Sequence, residues 1–217
     1  MTETVVDTKT RILDAAEKLF ADKGFYATSL RDITAEADVN LAAVNYHFQT
    51  KDSLIDAVIG RRIAPVNRLR LEMLAAAGPH PSVEQIVAAF VAPLLERGIS
   101  PMLPMMGRAL ASPDLFLFRI FKKHLAAVAD QFGKAFETAL PSLSSAERMW
   151  RLLFMAGSMA HVLSWSHVVG EMTEGVCDPT DREDVTARLV RFVAAGFRAT
   201  EPPRSAQPAD AVRLGAA

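Results

Sequence analysis

The sequence predicts an all-α protein of about nine helices: an N-terminal three-helix unit of helix-turn-helix pattern, then a larger helical domain. Two observations carry this. Apolar residues recur every three or four positions along the chain, the helical period, and no stretch shows the alternation of a strand. Residues 28–51 also read as two short helices joined by a tight turn, the arrangement that lays one exposed helix in the DNA major groove. At 217 residues, half of them hydrophobic, the chain buries a sizeable core in one or two domains.

The first helix runs over about 9–23, with Ile12, Leu13, Ala15, Ala16, Leu19 and Phe20 on one side, Asp7 or Thr8 as cap and Gly24 as stop. Thr28 or Ser29 caps the second, Asp32 standing three residues after Ser29 as a capping-box partner. That helix ends near Ala37, and Asp38 takes the turn position that demands positive φ. Val39 plugs inward and Asn40 caps a third helix, 41–48, whose buried side is Val44 and Phe48. Thr50 caps a fourth helix with the stripe Leu54, Ile55, Val58 and Ile59, bent near Pro65 and closed by Gly78, Pro79, His80 and Pro81. Helical stretches follow over 83–97, 102–111, 115–139 and 146–169. The last helix, 182–199, carries Val185, Leu189, Phe192 and Phe197 on or near one side. The Pro- and Ala-rich residues 201–217 read as a disordered tail.

The start is polar, and no apolar run reaches the roughly 18 to 20 residues of a membrane span, so neither a signal peptide nor an anchor is expected. The single Cys177 excludes an internal disulfide and fits a reducing cytoplasm. Net charge is −1, and within 1–62 the cations Lys9, Arg11, Lys18, Lys23, Arg31, Lys51, Arg61 and Arg62 are outnumbered by Asp and Glu. A nucleic-acid surface here must therefore be a local patch, with helix N-termini taking part of the phosphate load.

Three stretches in order, Ala-Ala-Glu-Lys-Leu-Phe-Ala-Asp-Lys-Gly-Phe (15–25), Thr-Ser-Leu-Arg-Asp-Ile (28–33) and Asn-Tyr-His-Phe-Gln-Thr-Lys-Asp-Ser-Leu (45–54), resemble the DNA-binding domain of the TetR family of transcriptional repressors. The resemblance covers residues 8–60. Residues 40–48, with Trp150-Arg151-Leu152 to Met155-Ala156-Gly157, look like a fatty-acid-responsive branch. It implies a homodimer on a two-fold symmetric operator, released by a small hydrophobic effector. It also implies a DNA-binding domain over 8–56 and a ligand-binding and dimerisation domain over 57–200. Carried onto matching positions, Thr28 and Lys51 bond phosphate from the starts of helices two and four. Tyr46 and His47 position phosphate or, on the plainer reading, pack and cap. Base reading falls to Asn40, Leu41, Ala42, Ala43 and Asn45. Arg31 reads equally as a long-reach contact or as a surface partner of Asp32, Glu36 or another carboxylate. Asp38 stands where many relatives carry glycine.

Residues 100–160 are rich in Met and Phe, which re-pack around varied shapes. Singly they read as core; together, given the resemblance, Met105, Met106, Phe121, Phe132, Met155 and Met159 are expected to line a pocket for an elongated hydrophobic effector such as a fatty acid or its thioester. Arg108, Arg119, Lys122 and Lys123 are candidates for an acidic head group or simply solvated charge, and Arg61 and Arg62 read as solvated charge on helix four. His161 and His167 are six apart, which misses paired helical ligand spacing, and no metal or cofactor is expected. The last two long helices suit an isologous four-helix dimer interface, with Gly157, Ser158 and Ala160 permitting close approach. Nothing in the motifs points to an enzyme. The competing readings are a helical lipid-handling enzyme or carrier without DNA binding, and a DNA-binding activator.

Overall fold

The computed structural model describes residues 7–95, 107, 109 and 114–201. Among them are nine helices and no strand: α1 (Thr8–Lys23), α2 (Leu30–Ala37), α3 (Leu41–Phe48), α4 (Lys51–Ala76), α5 (Val83–Leu95), α6 (Leu115–Ala139), α7 (Ser145–Trp165), α8 (Val169–Met172) and α9 (Arg182–Arg198). No helix among the described residues is long and apolar enough to cross a membrane.

Local chemistry sets the boundaries as the sequence suggests. At α2 the cap is Ser29: its hydroxyl accepts from the Asp32 amide at 3.1 Å, and the Asp32 carboxylate accepts from the Ser29 amide at 2.8 Å. Asp38 ends α2 at φ 51°, ψ 55°. Arg11 braces this left-handed residue, donating to the carbonyls of Ala37 and Asp38, each at 2.7 Å, and to the Asp38 carboxylate at 3.3 Å. The charge on Asp38 is thus drawn back toward α1. Asn40 caps α3 by accepting from the Ala43 amide at 2.8 Å, and Thr50 caps α4 by accepting from the Ser53 amide at 3.1 Å. α4 continues through the exposed Pro65.

Two apolar cores form, and two long helices belong to both. The first core gathers Ile12, Ala16, Phe20, Ile33, Val44, Phe48, Leu54, Ile55, Val58 and Ile59 around the three short helices, and it extends to Ala109, Leu117, Ile120 and Phe121. The second is built from α5, α6, α7 and α9 around Ile86, Val87, Phe132, Phe136, Met155, Met159, Leu163 and Phe197. α4 gives Leu54 to Ile63 to the first core, while Val66, Leu71, Met73 and Leu74 pack against the second. α6 likewise passes from Phe121 to Val128, a helix of about 37 Å at 1.5 Å per residue. The packing therefore does not break at residue 56.

The stretch read as one helix over 146–169 stops at Trp165, and α8 follows as a separate single turn. Ser166 turns its hydroxyl back onto the Leu163 carbonyl at 3.1 Å. Of the helix expected over 102–111, Gly107 and Ala109 are described and helical; the rest lies outside the described residues, as does 202–217. Glu201 accepts from the amide and hydroxyl of Ser144, at 3.1 and 2.6 Å, which ties the end of the described chain to the start of α7.

The contact of α4 with α6 turns on Gly60. A methyl group there would sit 2.6 Å from His124 Cε1, and the His124 ring is held by Asp56 at 2.8 Å while its carbonyl accepts from Asn67 at 2.8 Å. Gly60→Ala is expected to push this ring off Asp56 and to cost about 1–3 kcal/mol, the usual range for overpacking. Urea unfolding checks it; a loss under about 0.5 kcal/mol would show that the ring swings away freely.

Candidate nucleic-acid interface and internal cavity

Helix α3 is anchored from below by Val44 and Phe48, both buried, so its opposite side faces out. Tyr46 is 84% exposed and Asn45, Leu41 and Ala42 are exposed, whereas His47 is half-buried with its ring edge-on to Tyr46 at 5.1 Å between centroids. Lys51 opens α4 beside them, its Nζ donating to the Tyr26 carbonyl at 3.2 Å. Arg31 is exposed on α2 and enters no ion pair among the described residues; Asp32 is engaged by Ser29 and Glu36 by Lys18. Its surface-partner reading thus loses both carboxylates, and the guanidinium is free to reach outward.

Three sequence expectations change here. Thr28 is fully buried, with its hydroxyl 2.9 Å from the Gly24 carbonyl and 3.1 Å from that of Leu19, so it fastens the α1–α2 loop and cannot present that hydroxyl to phosphate. Ala43 is half-buried against the first core, which leaves Leu41 and Ala42 as the apolar groups on the outer face. Asn40 spends its side-chain oxygen on the Ala43 amide, leaving its NH₂ as the outward donor.

Ion pairing sorts the charges of this segment. Arg61 donates to Asp14 at 2.7 Å and to Glu17 at 2.6 Å, Arg62 pairs with the other oxygen of Glu17, and Lys123 pairs with Asp56 at 2.6 Å. Arg61 and Arg62 therefore clamp α4 to the buried end of Glu17 and are not loose solvated charge. Much of the acid in this segment is consumed away from α3, and the cations Lys9, Lys23, Arg31 and Lys51 form no ion pair among the described residues.

The α1–α2 loop also touches α6. The Tyr26 hydroxyl donates to the carboxylate of Asp114, the residue that caps α6 through the amides of Phe116 and Leu117. This bond raises the Tyr26 phenol to about 12 and holds Asp114 below the usual carboxylate range. Asp56 is also held low: burial opposes the shift but is outweighed by hydrogen bonds from Lys123 and His124.

In the larger domain Phe132, Met155 and Met159 lie together in the second core, while Phe121 belongs to the first, so the expected pocket set divides. Met105 and Met106, with Arg108, lie outside the described residues. A cavity of about 620 Å³ opens under the loop after α7, lined by Leu95, Leu163, Trp165, Cys177, Val185 and Arg188 among others. That volume is typical of small-molecule sites. Next to the second core is a charge that sequence reading passed over. Arg70 is 3% exposed; its guanidinium lies over the Phe90 ring at 4.0 Å, and burial lowers its pKa to about 10. It occupies a stripe position with Ile63, Val66 and Leu74, where a charged residue on an apolar register is the available sequence signal.

α7 shows an unpartnered apolar face. Met149, Trp150, Leu153, Phe154 and Trp165 are exposed, and Phe192 of α9 is 70% exposed. The Trp150 and Phe154 rings stack at 5.9 Å, and His161 stacks on Trp165 at 5.6 Å. Phe192 therefore points away from the core that holds Leu189 and Phe197.

Comparison with known proteins places two family descriptions on the chain: "Bacterial regulatory proteins, tetR family" over residues 12–58 and "Tetracyclin repressor-like, C-terminal domain" over 88–196. The HTH-type transcriptional repressor Rv3405c of Mycobacterium tuberculosis is 48% identical over 58 residues, 27% of this chain and 31% of that protein. The chain thus spans about a quarter to a third of the length of the curated relatives it matches. Among solved structures, Bacillus subtilis FadR in complex with stearoyl-CoA superimposes with a TM-score of 0.62 at 12% identity, covering 86% of this chain and 97% of FadR. The SmeT–triclosan complex superimposes with a TM-score of 0.63 at 19% identity, covering 93% and 99%. At such identity the likeness is one of fold.

Proposed function

Since the chain belongs to the TetR family of transcriptional regulators, we propose that it acts in the cytoplasm as a dimeric repressor whose α3 helices read a two-fold symmetric operator and release it when a small hydrophobic effector binds. The observation that carries this reading is the exposed face of α3, standing on a buried pedestal of Val44 and Phe48. Asn45 and the NH₂ of Asn40 supply base-edge groups, and Leu41 and Ala42 suit thymine methyls. Tyr46, His47, Lys51 and Arg31 supply phosphate contacts. Two copies pair through the apolar face of α7 and α9, whose row of aromatic side chains suits a self-complementary contact. The effector cavity adjoins that face, since Trp165 belongs to both, so filling it bears on the spacing of the two reading heads. α4 and α6, shared by the two cores, carry the change to α3.

Mobility-shift titration on the DNA upstream of the chain's own gene tests this reading. Tyr46→Ala and Lys51→Ala are expected to weaken all sequences alike, whereas Asn45→Ala changes the ranking of sites by about 1–3 kcal/mol at one position. Equal losses on every sequence for all three variants would overturn the division of labour. An absence of any shift with the unaltered protein would overturn the DNA-binding reading itself.

A further inference from the structure

Arg70 is a buried cation for which no carboxylate is provided among the described residues. Three of its five N–H groups are accounted for: Nε donates to the Phe90 carbonyl at 2.8 Å, Nη1 to Asn67 Oδ1 at 3.2 Å, and Nη2 points at Met159 Sδ at 3.9 Å. A thioether is a weak acceptor, so the outer edge of the guanidinium is met by a soft, mobile side chain where a buried arginine ordinarily meets an anion. Removing a charge from water without a counter-ion is costly, and a packed apolar residue would fill the same place without that cost.

The position of this edge relates it to the cavity. Leu163 follows Met159 by one turn of α7, and Leu95 lies five residues beyond Phe90 on α5; both leucines line the cavity. Along α7, Met159 and the cavity-lining Leu163 are separated by about 6 Å of helical rise. Met159, which meets the guanidinium, and Leu163, which lines the cavity, belong to the same core. Phe90, beneath the guanidinium, meets the Phe132 ring edge to face at 5.3 Å.

Resting on the effector reading above, we propose that the effector is an amphiphile with a free carboxylate, its apolar body in the cavity under the α7–α9 loop and its head paired with Arg70 after Met159 turns aside. The carboxylate takes the place of the sulfur at Nη2 and the second N–H of Nη1, giving the forked, charge-assisted pair for which guanidinium geometry is suited. Esters, thioesters and alcohols of the same chain fill the cavity but leave Arg70 without a counter-ion.

The test compares decanoate, methyl decanoate and 1-decanol at neutral pH, with affinity read from the fluorescence of Trp165 at the cavity wall and, in parallel, from release of DNA. Decanoate is expected to bind the unaltered protein at least tenfold more tightly than the alcohol or ester. Arg70→Met should abolish that preference while leaving the alcohol affinity within about threefold. Arg70→Lys keeps the charge without the fork and should lose severalfold for the acid alone, which carries the test if the methionine variant fails to fold. Equal affinities for acid and alcohol in the unaltered protein, or a preference that survives in Arg70→Met, would overturn the head-group role and leave the apolar-effector reading intact. Binding of none of the three would overturn both.

Discussion

Replacing Phe154 and Phe192 together by glutamate is expected to leave a folded monomer that holds its operator about 10²- to 10⁴-fold more weakly. Both rings are already in solvent in the single chain, 64% and 70% exposed, so the substitutions take nothing from either core, and surface changes of this kind shift stability by about 0.5 kcal/mol or less. In the proposed dimer they set carboxylates into an apolar contact, and the two-fold axis doubles each one. With the pairing lost, each reading head must find its half-site without the high effective concentration that a bound partner supplies. Sedimentation equilibrium and an operator titration read the two consequences separately. A dimer that persists with its operator affinity intact would show that copies assemble through another surface.

Arg151→Met is expected to destabilise the fold by about 3 kcal/mol, at the lower end of the range for stripping one partner from a buried charge network. Arg151 is buried within α7, and its guanidinium donates to Glu147 at 2.8 Å and to the carbonyls of Phe197 and Ala199 at 2.6 and 2.8 Å. Those carbonyls are at the end of α9, where a helix leaves its last acceptors without internal partners. One side chain thus terminates α9 and fixes it against α7. Methionine fills the volume but leaves two carbonyls and a half-buried carboxylate unpaired. The midpoint of urea unfolding measures the effect; a change below 1 kcal/mol would mean that water takes over the three bonds.

What was legible in the sequence was what local chemistry decides. The Ser29–Asp32 pair, the left-handed Asp38 and the Asn40 and Thr50 caps each depend on neighbours a few residues away, so short-range reading placed them. Thr28 was misread because its burial depends on carbonyls of α1, and Ala43 because the outer side of an eight-residue helix is narrower than a pattern of small residues implies. Arg61 and Arg62 looked solvated because their partners, Asp14 and Glu17, lie more than forty positions away. Phe192 departs from the side shared by Leu189 and Phe197 because a helix with two apolar sides shows one period in sequence and no indication of which side the core takes. The division of Phe121 from Phe132 follows from the length of α6: residues eleven apart on one long helix share a face without sharing a core.

The clamping of acids behind α3 also bears on how such a protein finds its site. With a net charge of −1 and few unpaired cations beside the reading helix, it displaces few counterions from duplex of arbitrary sequence. On the proposed reading, its grip on DNA of arbitrary sequence is expected to be slight, with less of the population held there. If α3 reads bases as proposed, occupancy of the operator is expected to follow the fit of Asn45, Leu41 and Ala42 more than ionic strength, trading sliding for a short list of tolerated sites.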